Sequence, residues 1–281
     1  MSVRTERIAH LPRAWVLPAI SILILIAAPL TLALAQSLWL RWAAIMALAW
    51  WLPGALLVAH WRLPEQDPPA AGVFALGLGL CWMILAALLV HWLPGAIELW
   101  HLVAAYEAGA VLLLVALWWR RPLPLQPTKG STWGWLLALL LLAAILRLPG
   151  IGYHQLHTDE VAVLGRALKS IEGMDDVLST HAKGPGEIAV ALVVYRALGT
   201  INETTARLPF GLMSVGSILA LALLGRRMFS STVGFWAGVL LAANGFALGL
   251  SRIVQYQAPV LLLSALAVLA AWEFAKRGEV R

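Results

Sequence analysis

The chain of 281 residues is 61% hydrophobic and only 12% charged, with a mean hydropathy of +0.83. These proportions exclude an ordinary soluble domain, in which about a quarter of the residues are charged. The formal net charge of +6 does not argue for nucleic-acid binding, because membrane proteins concentrate Lys and Arg in their cytoplasmic loops. The single cysteine, Cys81, excludes an intrachain disulfide.

Apolar runs of about 20 residues, long enough to cross a bilayer, predict an all-α polytopic membrane protein. We expect about eight transmembrane helices, at 14–36, 42–60, 71–93, 99–119, 133–148, 208–225, 232–250 and 258–275. The first four form an N-terminal membrane region, 1–119. The segment 120–132, RRPLPLQPTKGST, has the Pro, Gly and basic residues of a cytoplasmic linker before the C-terminal region, 133–281.

The basic residues orient these spans, because Lys and Arg mark cytoplasmic loops. Those that mark the cytoplasmic side are Arg4, Arg7, Arg13, Arg62, Arg226, Arg227 and Lys276. Both termini are therefore expected in the cytoplasm, and the loop 149–206 on the outer face. Arg147 and Arg252 stand near outer span ends against this rule, which predicts partners for them, an anionic lipid phosphate among the candidates.

The outer loop is expected to hold two amphipathic helices lying at the membrane interface. The first follows Thr158 and is expected to end at Gly173 as a left-handed cap; its apolar stripe comprises Val161, Leu164, Leu168 and Ile171. The second, 186–199, is too short to span, and its crossing would place Arg226 and Arg227 outside. Its stripe comprises Ile188, Ala191, Leu192, Tyr195 and Leu198.

Two adjacent acids, Asp159 and Glu160, open the first of these helices. Thr158 is the predicted N-cap, and acids in a first turn are favoured by the helix dipole, so a purely structural role is one interpretation. The other is that a carboxylate at the membrane–water boundary takes a proton from an attacking hydroxyl. Because neighbouring helical residues point about 100° apart, the two acids cannot share one role.

Further polar residues in the outer loop and the next outer turn are candidates for ligand contacts. His154, His157 and His181 could hold a divalent metal, although no known metal-binding spacing supports this. Lys183, in the turn HAKGPG, fits either a phosphate partner or a lysine that snorkels to the headgroups. The remaining polar candidates are Arg207 in ARLP and Arg252, Tyr256 and Gln257 in the turn SRIVQYQAP.

The order of the motifs HTDEV, HAKGP, TTARLPFGL and LLGRRMF resembles that of the membrane-embedded GT-C glycosyltransferases. Dolichyl-phosphate-mannose protein mannosyltransferases and bacterial aminoarabinose lipid A transferases typify that group. The resemblance covers roughly residues 133–275, about half of the chain. It implies transfer of a sugar, with inversion, from a polyprenyl-phosphate carrier to an acceptor on the outer face.

The resemblance also implies roles for particular residues. Asp159 would be the general base, supported by Glu160, and Lys183 would contact the carrier phosphate. Arg252 would be a second phosphate or site contact. His181, Arg207, Tyr256 and Gln257 complete the expected substrate-binding set. Many relatives carry an acid near the position of Gln257, and a glutamine there can bind sugar hydroxyls but cannot act as a base.

The expected partners are a polyprenyl-phosphate-linked sugar, a lipid, glycan or protein acceptor, and membrane lipids. No cofactor is implied with certainty, and nucleic acid is not expected. Relatives continue through further spans, so the chain is expected to be either a truncated or split polypeptide, which a second chain would complete, or a reduced relative. The alternatives are a non-catalytic membrane scaffold and a transporter that uses Glu107 in the fourth span. The resemblance places the protein in a bacterial plasma membrane.

Overall fold

The computed structural model describes residues 16–63, 67–119, 133–174, 177–178 and 180–277, and within these ranges it is helical with no strand. The helices are α1 (Val16–Leu34), α2 (Leu38–Trp61), α3 (Pro68–His91), α4 (Leu99–Trp118), α5 (Trp133–Arg147), α6 (Thr158–Ile171), α7 (Gly186–Leu198), α8 (Glu203–Met228), α9 (Ser231–Ala243), α10 (Gly245–Ser251) and α11 (Gln257–Arg277). The predicted linker 120–132 and the basic residues before residue 16 lie outside the described ranges.

The prediction of an all-helical membrane protein is confirmed, but fewer than eight helices qualify as spans. Six helices within the described ranges are long and apolar enough to cross a membrane: α1, α2, α3, α4, α8 and α11. The pair α9 and α10 would form a seventh, although it bends by 67°. The apolar part of α5, Gly134–Arg147, is shorter than the other candidates.

The bend between α9 and α10 replaces the straight span predicted at 232–250. Asn244 ends α9 in an extended conformation and caps α10, since its Oδ1 accepts a hydrogen bond from the N–H of Ala247 at 2.8 Å. Arg147 is fully buried beside the bend, where its Nη1 and Nη2 donate to the carbonyls of Ala242 and Leu241. Helix carbonyls at a C-terminus lack intrahelical partners, so Arg147 pairs with the end of α9 rather than with a lipid phosphate.

The polar contacts between loops divide into two groups, one at each end of the spans. At one end Asp67 accepts from Arg226 and Arg227, and Arg227 Nε lies 3.1 Å from Glu273. At the other end the N–H of Ile97 donates to the carbonyl of Ile171 at 2.8 Å, among further contacts by Arg41 with Ala197 and by Glu98 with Arg196. In the described ranges, Asp67 therefore lies at the same end of the spans as Arg226 and Arg227, and the segment with Ile97 and Glu98 lies at the opposite end.

Helix α7 lies inside the protein, surrounded by neighbouring helices. All side chains from Ile188 to Val194 are at most 2% exposed. The helix packs against α2, α3, α6 and α8. The predicted stripe does not separate a buried from an exposed face, because apolar residues such as Val190 and Val193 occupy the other faces too. A helix that is apolar all round is buried rather than interfacial.

Helix α6 is amphipathic, but its buried face is rotated from the predicted stripe. Leu164 and Ile171 are buried as predicted, whereas Val161 is 54% exposed and Leu168 is 37% exposed. The buried face also contains Glu160, Val163, Ala167 and Ser170. The predicted end is confirmed: Gly173 has a φ of +89°, and the N–H of Met174 bonds the carbonyl of Lys169 at 3.1 Å.

Glycines set the close approach of α2 and α3, the pair of spans nearest to α7. A Cβ added to Gly79 would lie 1.9 Å from the carbonyl oxygen of Trp50, and one added to Gly54 would lie 1.9 Å from that of Ala75. Small residues allow backbones to meet in this way, which matters in lipid because helices there gain little from hydrophobic burial.

We predict that Gly79→Ala lowers the free energy of unfolding by about 1–3 kcal/mol, because the added methyl group forces α2 and α3 apart. Thermal unfolding of the detergent-solubilised chain, followed by tryptophan fluorescence, measures the effect. Gly72→Ala on the same helix is the matched control, since a Cβ there meets nothing within 4 Å. Equal melting temperatures for the two variants would contradict the close contact.

Candidate active site

The first turn of α6 fixes the directions of the two acids. The helix begins at Thr158, and its N-cap is His157 rather than the predicted Thr158. His157 is extended, with a ψ of 155°, and its Nδ1 accepts from the N–H of Asp159 at 3.3 Å. In return, Glu160 Oε2 accepts from the N–H of His157 at 2.8 Å, which completes a capping box. Glu160 therefore turns inward, and Asp159 points to another side of the helix.

Glu160 is fully buried and forms a bidentate ion pair with Arg207 of α8. Its Oε1 accepts from Arg207 Nε at 2.8 Å and from the N–H of Val254 at 2.9 Å. Its Oε2 accepts from Arg207 Nη2 at 2.7 Å and from His157. A carboxylate offers about four acceptor positions, and all of them are used. Glu160 therefore has no free position with which to take a proton from a substrate.

The hydrogen-bond donors of Arg207 are likewise all used within the protein. Besides the two bonds to Glu160, its Nη1 donates to the carbonyls of Ile151 and His154, and its Nη2 donates to that of Gln155. These five bonds use all five donors of a guanidinium, and the side chain is only 3% exposed. The geometry therefore favours a structural role for Arg207 over the expected substrate contact.

The environment of Glu160 stabilises its charged form. Burial alone would raise the pKa of Glu160, but the hydrogen bonds from Arg207 and from the N–H groups of His157 and Val254, with the charge of Arg207, hold that pKa below its ordinary value. The carboxylate is therefore a fixed anion that binds together the loop before α6, the start of α8 and the turn after α10.

Asp159, unlike the buried Glu160, is accessible to solvent, and its side chain is 52% exposed. Its Oδ2 accepts from Gln255 Nε2 at 2.7 Å and lies 3.9 Å from Lys183 Nζ. Among the described residues, none donates to Oδ1. Asp159 and Lys183, which the sequence predicted to share a site, are therefore brought together, with one carboxylate oxygen free for a ligand.

Lys183 lies in a turn that a positive-φ glycine shapes. Gly184 has a φ of +81°, and its N–H donates to the carbonyl of His181 at 2.9 Å. The Lys183 ammonium lies 5.3 Å from the centre of the Tyr256 ring, a cation–π contact, and the side chain is 37% exposed. The predicted residues Lys183 and Tyr256 therefore meet beside Asp159.

His181 anchors this turn to the start of α7. Its Nε2 lies 2.6 Å from Glu187 Oε1, and the two side chains are 8% and 0% exposed. Glu187 Oε2 is buried without a partner in the described part of the chain. His181, which was expected to contact substrate, faces Glu187 and positions the Lys183 turn.

In the turn after α10, Gln255 rather than the expected Gln257 reaches the candidate site. Gln257, the predicted counterpart of an acid in relatives, begins α11, and its Oε1 is buried without a partner in the described ranges. Gln255 is the residue that reaches Asp159. Both glutamines stand in one polar turn, and no sequence spacing distinguishes which of them faces the acid.

Arg252 directly follows α10, and its hydrogen bonds go to the loop before α6 rather than to Asp159. Its Nη2 donates to the carbonyls of Pro149 and Gly150, each at 2.8 Å, and its guanidinium lies 5.1 Å from the centre of the Tyr153 ring. A cleft of about 590 Å³ adjoins it, between the segment 153–158 and the residues Gly249, Arg252 and Ile253. We call this the Arg252 cleft.

The three histidines considered for a metal do not form a metal site. His157 caps α6, His181 pairs with Glu187, and the ring of His154 packs against Tyr153 with centroids 4.0 Å apart. No group of three His, Cys, Asp or Glu side chains within the described ranges is placed to bind a metal ion.

The sequence model of the family described as dolichyl-phosphate-mannose-protein mannosyltransferase matches residues 186–281, from the first residue of α7 past the end of α11. This match confirms the predicted resemblance to GT-C membrane glycosyltransferases. No curated protein and no solved structure matches the chain significantly. The matched residues include Glu187, Arg207 and Gln255, whereas Asp159 and Lys183 precede them.

We predict that Glu160→Gln lowers the free energy of unfolding by about 3–5 kcal/mol at neutral pH, because Arg207 then loses its buried counter-charge. The lowered pKa of Glu160 also sets a pH dependence. Its contribution is complete above the ordinary pKa of about 4.3 and is lost as the pH falls through the lowered value in the folded state.

Melting temperatures of the wild-type chain and the variant, compared between about pH 7 and pH 3, test both parts of this prediction. The difference between the two proteins should shrink at the acid end. The control is Glu172→Gln, which removes an exposed acid of the same loop. A Glu160→Gln protein as stable as this control would show that the ion pair does not stabilise the fold.

Proposed function

We propose that the chain is a glycosyltransferase that moves a sugar from a polyprenyl-phosphate carrier to a hydroxyl acceptor, with Asp159 as the general base. The family match supports the reaction class, and apolar helices of spanning length support an integral membrane location. The observation that carries the proposal is the exposed Asp159 carboxylate, held between Gln255 and Lys183, with no donor to Oδ1 among the residues that the structure describes.

The proposed step is a single displacement at the anomeric carbon of the sugar. A bond forms between the acceptor oxygen and that carbon while the bond from the carbon to the carrier phosphate oxygen breaks. The acceptor proton passes to Asp159, and the polyprenyl phosphate leaves with the bonding electron pair. Attack from the face opposite the phosphate inverts the configuration of the carbon.

The surroundings of Asp159 suit the base of this reaction. Gln255 occupies Oδ2 and fixes the orientation of the carboxylate, so Oδ1 is the oxygen that takes the proton. A general base must come within hydrogen-bond reach of the proton that it removes. The exposure of Asp159 gives an acceptor that reach, whereas Glu160 only supports the helix that carries Asp159.

Lys183 is placed to bind the carrier phosphate. Its Nζ lies 3.9 Å from Asp159 Oδ2, beyond a normal hydrogen-bond distance, so its donors can turn to a phosphate. An ammonium at that point would stabilise the charge that develops on the leaving phosphate. Tyr256 and the pair of His181 and Glu187 limit where the lysine can lie.

The proposed site is on the outer face of the membrane, and both termini are cytoplasmic. Asp159, Lys183 and Gln255 lie at the end of the spans opposite the cluster of Asp67, Arg226 and Arg227. Excess basic residues favour the cytoplasmic side for that cluster.

A non-catalytic scaffold is the second candidate. One observation favours it: Glu160, the acid that follows Asp159 in the chain, is paired with Arg207 and cannot serve as a second free carboxylate. If the reaction needs a second free carboxylate, a partner chain would have to supply it. Activity that appears only after addition of a second chain would favour this candidate.

We predict that Asp159→Asn reduces sugar transfer at least about 100-fold, since general-base catalysis contributes that much or more. Membranes containing the full chain are incubated with polyprenyl-phosphate mannose and polyprenyl-phosphate glucose, and release of polyprenyl phosphate is measured. Glu172→Gln, which removes the same charge from the same loop, should retain activity. Wild-type transfer by Asp159→Asn would exclude Asp159 as the base.

We predict that Lys183→Met raises the KM for the donor about tenfold or more, because the carrier phosphate loses a charged hydrogen-bond partner. The variant keeps the apolar stem of the side chain, so packing on Tyr256 is preserved. Lys169→Met, at an exposed position on α6, is the control. An unchanged donor KM in Lys183→Met would remove Lys183 from the phosphate site.

A further inference from the structure

The Arg252 cleft is a second site that the proposed reaction does not yet use. Its volume of about 590 Å³ lies within the range of small-molecule sites, about 300–1,000 Å³. His157 and Thr158, which line it, directly precede Asp159 in the chain, and Ile253 precedes Gln255 by two residues. No residue of the Lys183 turn lines it. The residues before Asp159 and before Gln255 line the cleft, whereas Lys183 comes from a separate turn.

The guanidinium of Arg252 is held in place before any ligand arrives. The two bonds from Nη2 to Pro149 and Gly150, and the contact with the Tyr153 ring, fix its position. Its Nε is buried, and neither Nε nor Nη1 has a hydrogen-bond acceptor among the residues that the structure describes. The Nη1 group therefore keeps its donors for a ligand oxygen in the cleft.

The rest of the lining offers hydrogen-bond donors and no free acid. The Nδ1 of His157 accepts from the backbone N–H of Asp159, so Nε2 is the ring nitrogen left to donate to a ligand. Thr158 adds a hydroxyl. Glu160 is the one acid of the lining, and its acceptor positions are filled by Arg207, His157 and Val254. A fixed cation with neutral donors around it selects an anion.

We propose that the Arg252 cleft binds an anionic group, a phosphate or a carboxylate, that is carried by the acceptor. This inference rests on the proposed function, because it assigns the carrier phosphate to Lys183. An inverting displacement keeps the acceptor and the leaving phosphate on opposite faces of the sugar carbon. An anion on the acceptor therefore needs a place apart from the leaving phosphate, and the Arg252 cleft is such a place because no residue of the Lys183 turn lines it.

Binding is tested first, without turnover. Inorganic phosphate is titrated into the full chain carrying Lys183→Met, which removes the donor phosphate contact, and the rise in melting temperature gives the affinity. Adding Arg252→Gln should weaken binding about tenfold or more, whereas adding Arg166→Gln, at a surface arginine of α6, should not. Phosphate binding that is lost in Lys183→Met alone, or kept after Arg252→Gln, would overturn the inference.

The source of the anion is distinguished by repeating the titration in nanodiscs of phosphatidylcholine, with and without phosphatidylglycerol. Competition by phosphatidylglycerol assigns the cleft to a lipid headgroup, and lack of competition assigns it to an anion on a soluble acceptor. Either result is consistent with the inference, which the binding of phosphate itself decides.

Kinetics separate this inference from the proposed function. Arg252→Gln should raise the KM for the acceptor about tenfold and leave that for the polyprenyl-phosphate donor within about twofold. A rise in the donor KM instead would assign Arg252 to the carrier phosphate and overturn the inference. A wild-type chain without transfer activity would contradict the proposed function, while the phosphate titration would still decide whether the cleft binds anions.

Discussion

The buried ion pair between Glu160 and Arg207 is the interaction on which the candidate site depends. A buried pair is unfavourable unless hydrogen bonds complete it. Here every acceptor position of the carboxylate and every donor of the guanidinium is used. The bonds reach α6, α8, the loop before α6 and the turn after α10. These segments, which come from three separate parts of the chain, therefore hold one fixed arrangement.

That arrangement explains why two adjacent acids can have different properties. The same turn of helix that directs Glu160 inward leaves Asp159 at the surface, 52% exposed. Because Glu160 also binds the N–H of Val254, it places Gln255 next to Asp159. The position of Gln255 beside Asp159 therefore depends on Glu160. Glu160 supplies this rigidity, and all of its acceptor positions are used by other groups of the protein.

Much of the fold could be predicted from the sequence, because length and composition determine whether a helix can span a membrane. The motif order also predicted that Asp159 and Lys183 share a site. The partners of Arg207 and Arg147 could not be predicted, since most of them are backbone carbonyls, which carry no sequence signal. The choice between Gln255 and Gln257 was equally hidden, because it depends on how one turn is anchored by Glu160 rather than on residue type.

The apolar side chains on all faces of helix α7 can pack against lipid as well as against other helices. The family match begins at its first residue, yet α2 and α3, which cover it, lie outside the match. Lipid tails are as apolar as leucine, so burial against other helices gives a helix of this composition little advantage over contact with lipid. The same apolar residues of α7 therefore suit contact with lipid as well as the contact with α2 and α3 seen here.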